Sequence, residues 1–243
     1  MLRRLLAEFL GTAFLVTAVV GSGIMAAQLS PGQIGLELLE NSIATMLALG
    51  VLILIFAPVS GAHFNPVVTL FGAWSRRREA DRPNLPAILG YLGAQIVGAI
   101  GGAILANAMF GLAAVSVSSR ARTEPHLWIG EVVATAGLVL LVAALTRSDQ
   151  TRYAPAAVAA YIGAAYWFTS STSFANPAVT IGRAFTDTFA GISPASVPVF
   201  VVAQIVGASL AVAAATVLFP AARSVSHTDR VPAGDGSAGR GLA

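Results

Sequence analysis

This chain repeats itself, and each copy carries an odd number of hydrophobic stretches. That combination restricts the fold more than any other feature. The tripeptide Asn65-Pro66-Val67 recurs as Asn176-Pro177-Ala178, and each copy runs on to a threonine, Thr69 or Thr180. The hexapeptide Ala-Gln-Ile-Val-Gly-Ala stands at 94–99 and again at 203–208. Glu8 and Glu131 open matching apolar segments, so the order Glu, Asn-Pro, Gln is met twice, at 8, 65, 95 and at 131, 176, 204. The duplicated units cover about 1–112 and 125–220, together one domain over 1–220.

Composition identifies the solvent. The chain is 56% hydrophobic and 10% charged, with a mean hydropathy of +0.78, where a soluble domain carries about a quarter charged residues. Six segments reach the roughly 20 residues that a membrane crossing requires: about 5–27, 34–57, 85–110, 127–146, 154–172 and 196–220. The apolar stretches 58–75 and 173–190 are too short to cross, and each holds one Asn-Pro copy. Non-helical backbone at that depth survives only when buried in protein or lining a cavity. Three crossings per repeat turn the second copy upside down relative to the first, an arrangement that sets a shared site at the midplane. The fold class expected is an all-α membrane protein of six transmembrane helices plus two re-entrant half-helices.

All fourteen basic residues are arginine. Threading six helices puts Arg3, Arg4, Arg76, Arg77, Arg78, Arg82, Arg147, Arg152, Arg223, Arg230 and Arg240 on one side, and Arg120, Arg122 and Arg183 on the other. The positive-inside rule then makes both termini cytoplasmic in a multi-pass protein of the inner (plasma) membrane. The same clustering explains the basic pI of 9.9 without a nucleic-acid partner. The first apolar segment reads as a retained helix rather than a cleaved leader, and 221–243, rich in Gly, Ser and Asp, as a disordered cytoplasmic tail. The chain has no cysteine. His126 and His227 have no ligand partners near them in sequence, so neither a metal nor a cofactor is expected.

Asn is a strong helix N-cap, and Pro suits the first helical position, where its missing N–H costs nothing. The spans 66–74 and 177–187 are therefore expected as half-helices that start at mid-membrane and meet at their prolines. Two positive dipole ends then face one point, and each Asn amide offers a donor there. Such a junction accepts the oxygen of a neutral solute and repels cations. An intramembrane carboxylate needs partners, and Glu8 and Glu131 read as structural groups or, alternatively, as proton relays. Gln95 and Gln204 read as polar ties behind the half-helices. His63 either anchors its loop or faces the passage.

The strings Ser60-Gly61-Ala62-His63-Phe64-Asn65-Pro66, Asn176-Pro177-Ala178 and Glu8-Phe9-Leu10-Gly11-Thr12 resemble the aquaporin and glycerol-facilitator (major intrinsic protein) family over about 1–220. The resemblance implies an hourglass with a pore in each subunit, a homotetramer in the lipid bilayer, and small neutral solutes as partners. It also implies that Glu8 and Glu131 hydrogen-bond loop backbone. Water-selective members of that family carry an Arg directly after the second Asn-Pro-Ala, where this chain has Val179. Counting back along the family's usual spacing puts the other constriction positions at Thr45, Ala164 and Ser173. A filter of Thr45, Ala164, Ser173 and Val179 is small, uncharged and wide enough for glycerol.

The run Thr172-Ser173-Phe174-Ala175-Asn176-Pro177-Ala178-Val179-Thr180, followed by Ala184-Phe185-Thr186-Asp187, resembles bacterial aquaporins associated with arsenic resistance. That implies passage of arsenite and of methylated arsenicals. Arg183, four residues beyond Val179, is expected on the same face one turn, about 5.4 Å, further out. There it ties loop carbonyls, pairs with Asp187, or supplies a vestibule charge that attracts anions. The function expected is a passive channel for glycerol, metalloid acids and water. A predominantly water-conducting pore is the alternative. A coupled transporter would need more ionisable groups at the centre, and an enzyme would need a nucleophile with its base.

Overall fold

The computed structural model describes residues 1–77 and 82–219. The tail expected over 221–243 lies outside the described residues. Among the described residues the secondary structure is entirely helical. The first repeat comprises α1 (Leu2–Leu29), α2 (Ile34–Ser60), α3 (Pro66–Ser75) and α4 (Leu85–Met109). The second comprises α5 (Pro125–Arg147), α6 (Ala154–Phe168), α7 (Pro177–Gly182) and α8 (Val197–Leu218). Helices α1, α2, α4 and α5, together with the run Pro194–Leu218 that contains α8, are long and apolar enough to cross a membrane. Helix α6 has 15 residues, a rise of only about 22 Å. It is led in by a 3-10 turn at Thr151–Tyr153.

The chain buries one stripe of each long helix and leaves the rest exposed. On α1 the buried set Glu8, Gly11, Thr12, Leu15, Val16, Val19 and Gly23 recurs at helical spacing, while Leu6 and Phe14 stay exposed. Helix α1 packs on α4 and α2, and α5 packs correspondingly on α8 and α6, with α2 against α6 joining the halves. The repeated Ala-Gln-Ile-Val-Gly-Ala serves the first contact of each set. A Cβ on Gly98 would collide with the carbonyl of Phe9, and one on Gly207 with the carbonyl of Val132. Phe9 and Val132 are the residues following Glu8 and Glu131. Both glycines thus let two backbones touch at the same place in each repeat, which is how small residues drive helix association in lipid.

Helix α2 extends three residues past its expected end and closes at Gly61, whose φ of 93° is the left-handed cap that glycine supplies without strain. The second half-helix is shorter than expected. α7 is α-helical only to Gly182 and tightens into a 3-10 turn over Arg183–Phe185. At Gly182 the backbone of Ala99 approaches so closely, 2.6 Å from an ideal Cβ to its carbonyl oxygen, that only glycine fits. The half-helices are shared between repeats: α7 packs on α4 and α3 on α8, besides their own neighbours.

Candidate functional site

The two half-helices start where their sequences say they must. Asn65 and Asn176 take extended backbone angles as N-caps, with Pro66 and Pro177 in the first turn. Each cap side chain works in two directions. Asn65 Oδ1 accepts from the Val67 N–H at 3.1 Å, and Asn176 Oδ1 from the Ala178 and Val179 N–H groups at 3.0 and 3.3 Å. The amide nitrogens then cross the midplane: Asn65 Nδ2 donates to the Ala175 carbonyl, and Asn176 Nδ2 to the Phe64 carbonyl, both at 2.8 Å. Each loop therefore holds the other, and each amide has one N–H left for a solute. Val67 and Ala178 are buried within the first turns.

Behind this junction lies a duplicated polar scaffold. The Glu8 carboxylate accepts from the Ser60 hydroxyl (2.6 Å), the backbone N–H groups of His63 (3.0 Å) and Phe64 (2.8 Å), and Gln95 Nε2 (2.8 Å). Glu131 accepts from the N–H groups of Phe174 (2.8 Å) and Ala175 (2.9 Å) and from Gln204 Nε2 (2.6 Å). Gln95 also donates to Thr69 Oγ1, and Gln204 to Thr180 Oγ1. The loops need these partners because their backbone is strained. Ala62 and Phe64 in one, and Thr172, Ser173 and Ala175 in the other, have φ between 48° and 62°, a region costly for residues with a Cβ. His63 lies on the cavity wall, and its Nδ1 is 3.1 Å from Thr69 Oγ1.

A cavity of about 1230 Å³ runs from Met1, Arg4, Arg76 and Arg152 at one end, past Asn65 and Asn176, to Val179 and Arg183. A second cavity, about 260 Å³, opens at the other end beside Arg120 and Arg122. Arg183 lines both and so stands between them. Thr45, Ser173 and Val179 line the large cavity close to that junction. Ser173 Oγ is buried and has no hydrogen-bond partner within the protein.

The position expected at Ala164 is corrected. Ala164 is exposed and does not line the passage. The lining face of α6 is Val158, Ile162 and Tyr166, spaced by four residues, and a residue two positions away projects to the opposite side of a helix. Tyr166 therefore stands where Ala164 was expected, with its hydroxyl donating to Thr45 Oγ1 at 3.3 Å. Counting back from Asn176 thus misses the lining position on α6 by two residues. The helical period of 158, 162 and 166 is the signal that would have found Tyr166.

Arg183 does not pair with Asp187. Asp187 instead accepts from the backbone N–H and hydroxyl of Ser119, at 2.9 and 3.0 Å, which hold its pKa below the usual carboxylate value. Arg183 is 3% exposed, donates from Nε to the Ala190 carbonyl, and lays its guanidinium 3.5 Å from the centre of the Phe174 ring. Phe174 occupies in the second repeat the place of His63 in the first, two residues before the capping Asn. It supplies the aromatic face that a cation prefers.

An inverted pair of three-helix repeats, with capped half-helices meeting on the wall of a large internal cavity, defines a multi-pass channel for small solutes. Residues 1–171 match the major intrinsic protein family, and the chain belongs to that family. It is 48% identical over 223 residues to the aquaglyceroporin AqpS of Rhizobium meliloti, covering 92% of this chain and 93% of that protein. It is 29% identical to the aquaporin AqpM of Methanothermobacter marburgensis, over 86% and 94% of the two chains. The X-ray structure of the aquaglyceroporin from Plasmodium falciparum superposes with a TM-score of 0.63 over 90% of this chain and 97% of that one, at 22% identity. That last likeness concerns the fold.

Proposed function

We propose that the chain passively conducts small neutral hydroxylated solutes, glycerol and arsenous acid together with water, across the plasma membrane as a homotetramer with cytoplasmic termini. The observation that carries this reading is Val179. It is an apolar residue on the wall of the passage at the place where the resemblance puts a water-selective arginine. Opposite character is close at hand in the paired hydroxyls of Tyr166 and Thr45. One apolar side and one hydroxyl-bearing side suit a polyol, whose carbons and oxygens occupy opposite edges. Arsenous acid, a neutral triol at neutral pH, presents the same hydrogen-bonding pattern. The aquaglyceroporin label of the Rhizobium relative agrees with this class of solute. The distribution of arginines supports the orientation, with the Met1 end inside, and cross-linking of the solubilised protein measures the subunit number.

A second reading, a mainly water-conducting pore, is favoured by one observation: the bulky side chains of Tyr166 and Arg183 both stand on the cavity wall with Val179. Stopped-flow light scattering on proteoliposomes separates the two. Glycerol and arsenous acid flux well above that of empty vesicles, non-saturating and driven only by the gradient, is the expected result. Rapid water flux without either solute overturns the polyol reading in favour of the second.

A further inference from the structure

Three arginines that are distant in sequence, Arg120, Arg122 and Arg183, share one small cavity at the end of the passage opposite Met1. Their placement follows a single device. Arg120 donates to the carbonyl of Phe189, Arg183 to that of Ala190, and Arg122 to that of Gly191 at 3.2 Å, so three consecutive carbonyls each take one guanidinium. Arg122 also reaches the Ser171 carbonyl at 3.4 Å and stacks 4.9 Å from the centre of the Phe174 ring, on which Arg183 also lies. Among the described residues, every hydrogen bond that these guanidiniums donate goes to a neutral backbone carbonyl, never to a carboxylate. Asp187, in the same loop region, is committed to Ser119.

Such a cluster is electrostatically incomplete. Burial, and then the neighbouring Arg120 charge, bring Arg122 down to about 10, so it stays protonated at neutral pH. Three like charges around about 260 Å³ repel one another and leave N–H donors unused, a setting in which a planar fork matches an oxyanion in two-point fashion. The rest of the wall, apolar apart from Asn41 and Thr172, brings no negative charge, and the Glu131 carboxylate behind it is bonded to the Phe174 and Ala175 N–H groups and to Gln204. We infer that this mouth is a binding site for a small tetrahedral oxyanion, such as inorganic phosphate, held by Arg120, Arg122 and Arg183. Arg183 lines both cavities, so an occupied site narrows the passage for neutral solutes. The site is distinct from the neutral-solute wall at Val179, and only its assignment to the outer face rests on the orientation proposed above.

Two measurements test it. In the first, the solubilised protein is melted in phosphate and in chloride at matched ionic strength. Phosphate raises the melting temperature saturably, because a ligand of the native state stabilises it by mass action. Arg120 is exposed, and its guanidinium is tied to Phe189 through both the carbonyl and the ring face. Arg120→Gln shifts the dependence to about tenfold higher phosphate, the loss of one charge-assisted contact, and Arg120→Lys retains most of it. This arm needs no transport, so it stands even if the polyol reading fails. In the second, right-side-out vesicles of fixed lipid composition take up glycerol. External phosphate slows entry and phosphate trapped inside does not, whereas a headgroup effect would be equal in every arm. A melting curve in phosphate identical to that in chloride overturns the site whatever the variants do. So does an unshifted response in a folded Arg120→Gln protein, or equal inhibition from both sides.

Discussion

Replacing Glu131 tests whether the buried carboxylates are scaffold or proton carriers. Its oxygens accept two backbone N–H groups, those of Phe174 and Ala175, and one Gln204 amide. Leucine at 131 strands both backbone donors in a fully buried site, while Gln204 keeps Thr180. At about 1–3 kcal/mol for each stranded donor, Glu131→Leu loses roughly 2–6 kcal/mol. Glutamine keeps one oxygen acceptor. Its best arrangement turns that oxygen toward Ala175 and Gln204 and sets an NH2 against the Phe174 N–H alone, a loss of about 1–3 kcal/mol. The loop would still close, so the glutamine variant should conduct neutral solute at close to the parent rate while melting earlier. The assay pairs the melting temperature of the solubilised protein with solute flux at two external pH values. A relay would behave in the opposite way, with stability unchanged and a pH-dependent flux abolished in Glu131→Gln. That pattern, or a leucine variant as stable as the parent, would refute the scaffold argument.

Two further perturbations act on the passage itself. Val179→Arg adds a guanidinium beside Ser173 and Tyr166, and should cut glycerol flux at least tenfold more than water flux in proteoliposomes; equal losses in a folded protein would show that position 179 does not select. Asn176→Asp keeps an acceptor for the Ala178 and Val179 N–H groups but loses the donor to the Phe64 carbonyl, and it sets a carboxylate at the junction of two helix N-termini. Cation leak under a voltage clamp, or a lower melting temperature from the broken loop-to-loop bond, is expected, and an equally stable, cation-tight pore would contradict the assigned role.

How much of this was legible in the sequence depended on whether a signal was local. Asn-Pro at 65 and 176 specifies cap and first turn from two adjacent side chains, and the half-helices begin there. The repeat of Glu8, Gln95 and Gly98 as Glu131, Gln204 and Gly207 pointed to two copies of one packing unit, which the carbonyl approach at Phe9 and Val132 explains. Positions reached by counting back from an Asn-Pro copy were legible in part: Thr45 and Ser173 line the large cavity and Ala164 does not. Ala164 falls on the exposed face of α6, and Tyr166, two residues on, lines the cavity in its place. The partners of Arg183 were equally hidden, because Ala190 lies across a loop and Phe174 is recognisable only as the counterpart of His63. These two displacements belong together. An arginine at 179 would project from α7 into the space beside Tyr166 and Ser173. With valine there, the aromatic ring on the cavity wall comes from Tyr166 and the positive charge from Arg183, four residues on and held on Phe174. The chain thus keeps an aromatic group and an arginine beside Val179, with the arginine anchored to its own loop rather than projecting from position 179.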